Sequence, residues 1–497
     1  MFKSKGLKEI ASGSLWGFVG LFLGYFLEYA NRIIIGRIFG PSDYGAISLS
    51  LAIAIICASL SLLGLQTGVA RYIAIHSDET KKHIVALIIS TGLKIILPVS
   101  IIFSIVLLLS RSFLISNFFK STSAPYIIIP FIFLIPIIAV AEYFYSCLRG
   151  LKLAKYAVLS KEVIRRSVVL IVLLVIIVFN IKKLALVPFA YSVGFVFYML
   201  ISALLVKKNI SLDNKNYFDD FKVKELFLFS LPLLFSIVLK KFGGQLSNIV
   251  VGFFRDTKEV GYLSAALPFS RFVSFPLNVV LFMFLPVMSR YWHKKDHEEL
   301  KTVFKAVCNW LFCISGLIFF IFILNSELII TKSFGKSFLP AHSALVILVI
   351  GQFFNVICGP TGAFLLAAGE SKKYFIGDFI TLFFTLLLYI CFVPKFGFLG
   401  AAYINTIHLI ILNVVYLIFV YRIARLSPFN KNTLLAIFFI IIAVFFLKIF
   451  FTNVSSVSMR VILTIVVYLG IIAATGILKK KSFMTFYSFL KNNLKKE

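Results

Sequence analysis

Apolar runs long enough to cross a bilayer recur along nearly the whole chain, and this feature restricts its fold more than any other. The stretch "VVLIVLLVIIVF" at 168–179 is typical, being continuous rather than alternating. It therefore reads as a helix, not as a barrel strand in which lipid-facing and lumen-facing residues take turns. Reading each run between its charged or Gly/Pro punctuation gives about fourteen helices, each near the ~20 residues that a span requires. The spans fall at 12–39, 44–73, 83–110, 124–148, 155–180, 184–206, 224–254, 259–290, 300–325, 342–368, 372–393, 398–423, 430–452 and 456–478. Of 497 residues, 60% are hydrophobic and only 14% charged, too few charges to keep a soluble protein of this size dissolved. The fold class predicted is an all-α polytopic membrane protein.

The formal net charge of +30 would point to nucleic acid in a soluble domain. Here Lys and Arg gather in short links between apolar runs, as cytoplasmic loops do, so no nucleic-acid partner is expected. An even number of spans puts both termini on one side. Lys3, Lys5 and Lys8 at one end, with Lys479, Lys480, Lys481, Lys491, Lys495 and Lys496 at the other, place that side in the cytoplasm of a multi-pass cell-membrane protein. Residues 481–497 form a basic, aromatic tail of the kind that lies on anionic lipid surfaces. The first apolar run is too long for a cleaved signal peptide and lacks a small-residue cleavage site. Cys57, Cys147, Cys308, Cys313, Cys358 and Cys391 lie mostly inside apolar runs without a Cys-x-x-Cys pair, so neither a disulfide framework nor a metal site is expected. His293 and His297 have an i, i+4 spacing, but the surrounding "HKKDHEE" reads as a solvated linker. No cofactor is implied, and a monomer is expected.

The chain also repeats itself. "RIIIGRIFGPSDYGAIS" at 32–48 aligns without a gap on "NIVVGFFRDTKEVGYLS" at 248–264, matching Gly36 and Gly45 to Gly252 and Gly261. Weaker echoes follow in order: Arg71 with Arg290, 149–156 with 368–374, and 189–192 with 401–404. The expected domains are an N-lobe at 1–209 (helices 1–6), a C-lobe at 210–426 (helices 7–12), two extra helices within 427–480, and the tail. Six helices per copy give both lobes the same orientation, and such parallel repeats carry substrate between lobes that rock about it.

Three stretches, "GRIFGPSDYGAISL" between the first two helices, "FSLPLLFS" in the seventh and "RGLKLAKYAVLS" entering the fifth, carry a likeness. Together with the six-plus-six-plus-two layout, they resemble the Wzx-type polysaccharide flippases. That superfamily also contains the multidrug (MATE) exporters and the lipid II flippase. The resemblance implies a MATE-like fold and translocation of a polyprenyl-(di)phosphate-linked sugar or oligosaccharide to the outer leaflet by alternating access. It implies a polyprenyl-linked glycan as substrate, membrane lipids around it, glycosyltransferases and a glycan polymerase or ligase as partners, and no enzymatic activity. The alternative is a proton- or sodium-coupled MATE-type exporter of cationic small molecules.

An ionisable group mid-membrane costs at least ~2.5–3.5 kcal/mol on insertion scales, so it should face a cavity or a partner. Deep in their spans lie Glu28, Asn31, Arg32, Gln66, Lys94, Lys240, Lys241, Gln245, Asn248, Arg271 and Asn278. Glu142, Lys161, Glu162, Arg165, Arg166 and Asp378 are nearer the cytoplasmic ends, where long side chains can snorkel. Glu28 and Arg32 are one turn apart. They are either a self-neutralising pair with no transport role, a coupling site, or part of a cavity. Lys241, Gln245 and Asn248 share a helical stripe, and Asn248 aligns with Arg32 across the repeat. Five deep basic residues (Arg32, Lys94, Lys240, Lys241, Arg271) face one acid, Glu28. With Asn31, Gln66 and Asn248, the basic groups are the candidate substrate-binding set. Such a cavity suits an anion, and a diphosphate is a compact one that Arg can grip through parallel N–H bonds. Carrying it outward across an inside-negative membrane gains ~2.3 kcal/mol per charge per 100 mV. Pro232 and Pro276 are candidate hinges, static kinks being the other reading.

Overall fold

The computed structural model describes residues 5–76, 82–119, 124–181, 183–210, 226, 230, 234, 244–451 and 456–477. These are helical almost throughout. The first helix, Lys5–Ser61, breaks where Gly40 takes φ 75° and ψ 179°. Gly40 tolerates the left-handed φ, and Pro41 has the fixed φ that suits the first turn of the next helix. We label the arms α1 (5–40) and α2 (41–61). A second break, at Gly397 (φ 58°) inside Ser371–Ala424, separates α11 (371–396) from α12 (398–424). Between them lie α3 (Lys82–Leu109), α4 (Ala124–Gly150), α5 (154–178), α6 (Leu186–Lys208), α7 (Gly244–Phe254), α8 (Thr257–His293), α9 (His297–Phe334) and α10 (Ala341–Ile357, continued by Thr361–Ala367). The last two helices are α13 (Lys431–Phe450) and α14 (Val457–Thr475).

Among the described residues, ten helices are long and apolar enough to cross a membrane. Two of them contain the breaks at Gly40 and Gly397 and so supply two arms each. With α5, interrupted by a π turn, and α7, the described segments match the helix order read from sequence. Their outward faces carry large apolar side chains, such as Phe438, Ile441, Phe445 and Phe446 on α13 and Phe379, Phe383 and Phe384 on α11. A soluble fold would hide these faces; a lipid-embedded helix shows them.

The chain packs into two compact units, 15–261 and 262–497, the latter with 1–14. In the first unit the first turns of α2 and α8 meet reciprocally. A β-carbon at Gly45 would collide with the Thr257 carbonyl and the Gly261 amide, and one at Gly261 with the Pro41 carbonyl. Under the repeat alignment Gly45 corresponds to Gly261 and Pro41 to Thr257, so each half of the contact is the image of the other. Ser42 Oγ and Thr257 Oγ1 share a hydrogen bond of 3.1 Å beside it. Gly252 packs against Leu49 and the Phe118 carbonyl. Absent side chains thus bring backbones together, as small residues do in membrane interiors.

The second unit centres on α8, α9, α10 and α12. Phe284, Met288, Phe304, Phe364 and Val420 are fully buried there in one apolar cluster. One packing device occurs in both units. On α3, Gly92 makes room for Tyr143 of α4, whose hydroxyl donates to the carbonyls of Ile88 (3.2 Å) and Ile89 (3.1 Å). On α9, Gly316 makes room for Tyr468 of α14, whose hydroxyl donates to Phe312 (3.2 Å) and Cys313 (2.9 Å). α14 therefore docks on α9 as α4 docks on α3.

Candidate functional site

The polar interior of the 15–261 unit is built where α1 meets α5. Gly20 lets Val158 close in, and Gly24 leaves space for the Arg166 guanidinium and the Glu162 backbone. α5 contains a π turn at Leu159–Ile164. Such a bulge adds a residue to one turn and re-aims the side chains around it. Glu162 and Arg166 reach towards α1, while Lys161 and Arg165 turn to α4 and α6.

Glu28 is the hinge of the resulting network. Its Oε1 accepts from Arg32 Nε at 2.9 Å, and its Oε2 lies 3.2 Å from Arg166 Nε. The second contact is an ion pair without hydrogen-bond alignment, since Arg166 Nε has no aligned acceptor. Arg166 Nη2 also pairs with Glu162 at 2.9 Å. Arg32 Nη1 donates to the buried Tyr44 hydroxyl at 3.3 Å. Asn31 Nδ2 donates to the Arg166 carbonyl at 3.0 Å, and the Asn31 Oδ1 has no donor among the described residues. On the far side of α5, Lys161 pairs with Glu142 of α4 at 2.7 Å and lies 4.6 Å from the Tyr145 ring centroid. Arg165 Nε donates to the Lys161 carbonyl at 3.1 Å, and its Cζ sits 4.7 Å above the Phe195 ring of α6. Four cations and three carboxylates thus share one helix junction, leaving one positive charge.

The sequence-predicted residues fall in several places. Glu28, Asn31 and Arg32 belong to this network. Gln66, on the segment Leu65–Ile75, is half-buried with its Oε1 unpartnered among the described residues, and buried Asn248 of α7 has the same feature at Oδ1. Lys94 is exposed, on the side of α3 that also shows Leu97 and Ile101. It faces away from Gly92 and Ile96, the side that meets α4. Arg271 and Asn278 lie exposed on one side of α8, opposite its buried Val273, Leu277 and Phe284. α8 passes through Pro276, as through Pro268 and Pro286, as one helix. Lys240, Lys241 and Pro232 lie outside the described residues, as does the basic tail.

Arg166, Glu162, Arg165 and Tyr44 are members that the span-by-span reading did not place in the deep set. By sequence Arg165 and Arg166 lie nearer the cytoplasmic end of their span, where long side chains can snorkel. Their available signal was two adjacent arginines running directly into an apolar stretch, opposite a helix with glycines at 20 and 24.

The 262–497 unit has a different interior. Tyr416 donates to Asp378 Oδ1 at 2.6 Å and stacks on Tyr374. His408 Nδ1 bonds Thr385 Oγ1 at 2.9 Å, Asn413 donates to Asn355 at 2.9 Å, and Thr406 donates to the Ile347 carbonyl at 2.7 Å. Helix-to-helix bonding accounts for these polar groups. Among the described residues no group of three or more His, Cys, Asp or Glu is arranged to hold a metal. His297 packs edge-on against Trp292 beside Asp296, the N-cap of α9.

Comparison with known proteins gives this geometry a lineage. The sequence profile described as "Polysaccharide biosynthesis protein" matches residues 10–292, more than half the chain. The chain belongs to that family. A second profile, MatE, matches residues 232–393. A putative O-antigen transporter of Shigella flexneri is 24% identical over 79% of this chain and 93% of its own length. An uncharacterized membrane protein of Methanocaldococcus jannaschii is 24% identical over 95% and 94%. Among solved structures, the lipid II flippase MurJ in an inward closed conformation superposes with a TM-score of 0.69 at 17% identity, covering 97% of this chain and 99% of that one. A MATE multidrug transporter, inward-facing, gives 0.66 over 81% and 94%. The fold is therefore that of the MATE and MurJ transporters, in a Wzx-type member of their superfamily.

Proposed function

We propose that this polysaccharide biosynthesis family member is a flippase. It moves a polyprenyl-(di)phosphate-linked sugar or oligosaccharide from the cytoplasmic to the outer leaflet of the cell membrane by alternating access, with both termini cytoplasmic. The carrying observation is the surplus of positive charge held inside the membrane. An uncompensated cation there is costly, and an anionic substrate group is the ligand that offsets the cost. The putative O-antigen transporter and the lipid II flippase among its relatives support the same class of cargo. The six-helix copies at 1–209 and 210–426 are the units we assign to the alternation. The substrate set consists of Arg32, Asn31, Gln66, Lys94, Asn248 and Arg271, with Lys240 and Lys241. Glycosyltransferases and a glycan polymerase or ligase would act before and after it, and the protein itself performs no covalent chemistry.

The MATE-type reading needs Glu28 as a coupling carboxylate. Glu28 is held by two guanidiniums, and the surrounding charge repels a cationic cargo. Both points favour the flippase.

The test is complementation of a host lacking its own flippase. Arg271→Ala and Arg32→Ala, each inserted at wild-type level, should abolish surface glycan. Normal surface glycan from either variant sinks that residue's assignment. Uptake of a cationic dye driven by a proton or sodium gradient in vesicles would instead establish the exporter.

A further inference from the structure

We propose that Arg165 is the seat of the substrate's phosphate group, an assignment that rests on the flippase reading and deepens it. The argument is one of charge pairing inside the α1–α4–α5–α6 junction. Arg32 is engaged by Glu28 and Tyr44, Arg166 by Glu28 and Glu162, and Lys161 by Glu142. Arg165 has no carboxylate within ion-pair distance among the described residues. Its bonds are to neutral groups: the Lys161 carbonyl at Nε, and the face of Phe195. It is therefore the cation whose charge the junction leaves over.

Its mounting suits that role. The Nε bond holds one edge of the planar guanidinium, and the buried Phe195 ring, 4.7 Å from its Cζ, backs it. Gly194, whose missing side chain admits the Arg165 backbone and Val169, brings α6 close enough for that stacking. What remains is the paired Nη edge of a side chain that is only half-buried. Two parallel N–H donors held in a plane match two oxygens of a phosphate better than a mobile lysine would. The neighbouring Glu28, Glu142 and Glu162 are each occupied by a cation, so they repel an incoming anion less than free carboxylates would.

The experiment uses the full chain in nanodiscs of neutral phosphatidylcholine, titrated calorimetrically with geranylgeranyl diphosphate, the monophosphate and the uncharged alcohol. Wild type should bind the diphosphate most tightly. Arg165→Ala should weaken diphosphate binding by roughly tenfold or more while leaving the alcohol unchanged, and Arg165→Lys should fall between, keeping the charge but losing the fork. Phe195→Leu should weaken the diphosphate by a few-fold, roughly, through the loosened guanidinium. Diphosphate binding by Arg165→Ala at wild-type strength overturns the assignment. If that variant does not fold, wild-type affinity in both Arg165→Lys and Phe195→Leu overturns it equally. Loss of the preference on adding phosphatidylglycerol also overturns it, by making Arg165 a seat for ordinary membrane lipid. If wild type itself binds the alcohol as well as the diphosphate, the flippase reading fails first, and the Arg165 assignment with it.

Discussion

The two compact units hold their interiors together with different chemistry. Within 15–261 the helix junction is ionic, with Glu28, Arg32, Arg166, Glu162, Lys161 and Glu142 interlocked. Within 262–497 the corresponding bonds run between hydroxyls, amides and an imidazole, and Asp378 is answered by a tyrosine rather than a cation. Helix packing in lipid needs only the second kind, since hydroxyl and amide bonds between helices suffice. Buried charge is costlier to insert and adds little net stability even when paired. On the proposed flippase reading, the ionic junction serves a ligand that uses its charge, and packing alone is the alternative.

The sharpest way to break this contrast is to remove one partner from each interior. Arg166→Ala removes one of the two ion-pair partners of Glu28 and leaves Glu162 without its ion pair. Breaking a buried pair one-sidedly costs ~3–5 kcal/mol, somewhat less here because these side chains keep 14–19% of their exposure. Asp378→Asn keeps an oxygen that can accept from Tyr416, so about 1 kcal/mol is expected. Thermal unfolding of detergent-purified protein should show a much larger drop for the first variant. Equal drops would mean that the ionic junction is no more than packing.

Much of the fold could be read from sequence, and the reasons are local. A Gly-Pro pair at 40–41 ends one helix and starts the next by backbone geometry alone, and an apolar run of membrane length has few alternatives. The repeat was visible as Gly45 over Gly261, whose structural meaning is that both are needed at one contact. Glu28 and Arg32 announced their pairing by spacing on one helix. The third partner could not be announced that way. Arg166 reaches Glu28 only because a π turn re-aims α5 and Gly24 leaves space on α1, and neither effect has a period that a single helix displays. The depth of Lys94 is legible from its place in the span, but the side of α3 that it occupies is not, because that helix is apolar on every side.

A smaller effect tests the reciprocal turns of the first unit. Gly45→Leu and Gly261→Leu each drive a side chain into backbone that has nowhere to move. Overpacking of this kind costs about 1–3 kcal/mol, and because the contact is its own image the two costs should agree. Gly470→Ala, where no neighbouring atom lies within reach of a β-carbon, is the control and should be neutral to slightly stabilising, since it lies inside α14. A large penalty at one position and none at the other would show that only one of the two turns is held rigidly, and that the repeat has lost its symmetry at this point.

The smallest effect concerns the tyrosine–glycine device shared by the units. Tyr143→Phe and Tyr468→Phe each delete one hydroxyl shared between two carbonyls that stay bonded within their own helix. Each should therefore cost only about 0.5–1.5 kcal/mol, and the two should cost nearly the same. If Tyr143→Phe destabilises and Tyr468→Phe does not, the hydroxyl is idle in the second unit. α14 would then be held on α9 by apolar contact, with the Tyr468 ring 5.8 Å from that of Phe320. Tyr468→Ala separates these cases, because it removes ring and hydroxyl together. A cost no greater than that of Tyr468→Phe would make the hydrogen bond the whole of the attachment, whereas a cost several-fold larger would assign most of it to the ring.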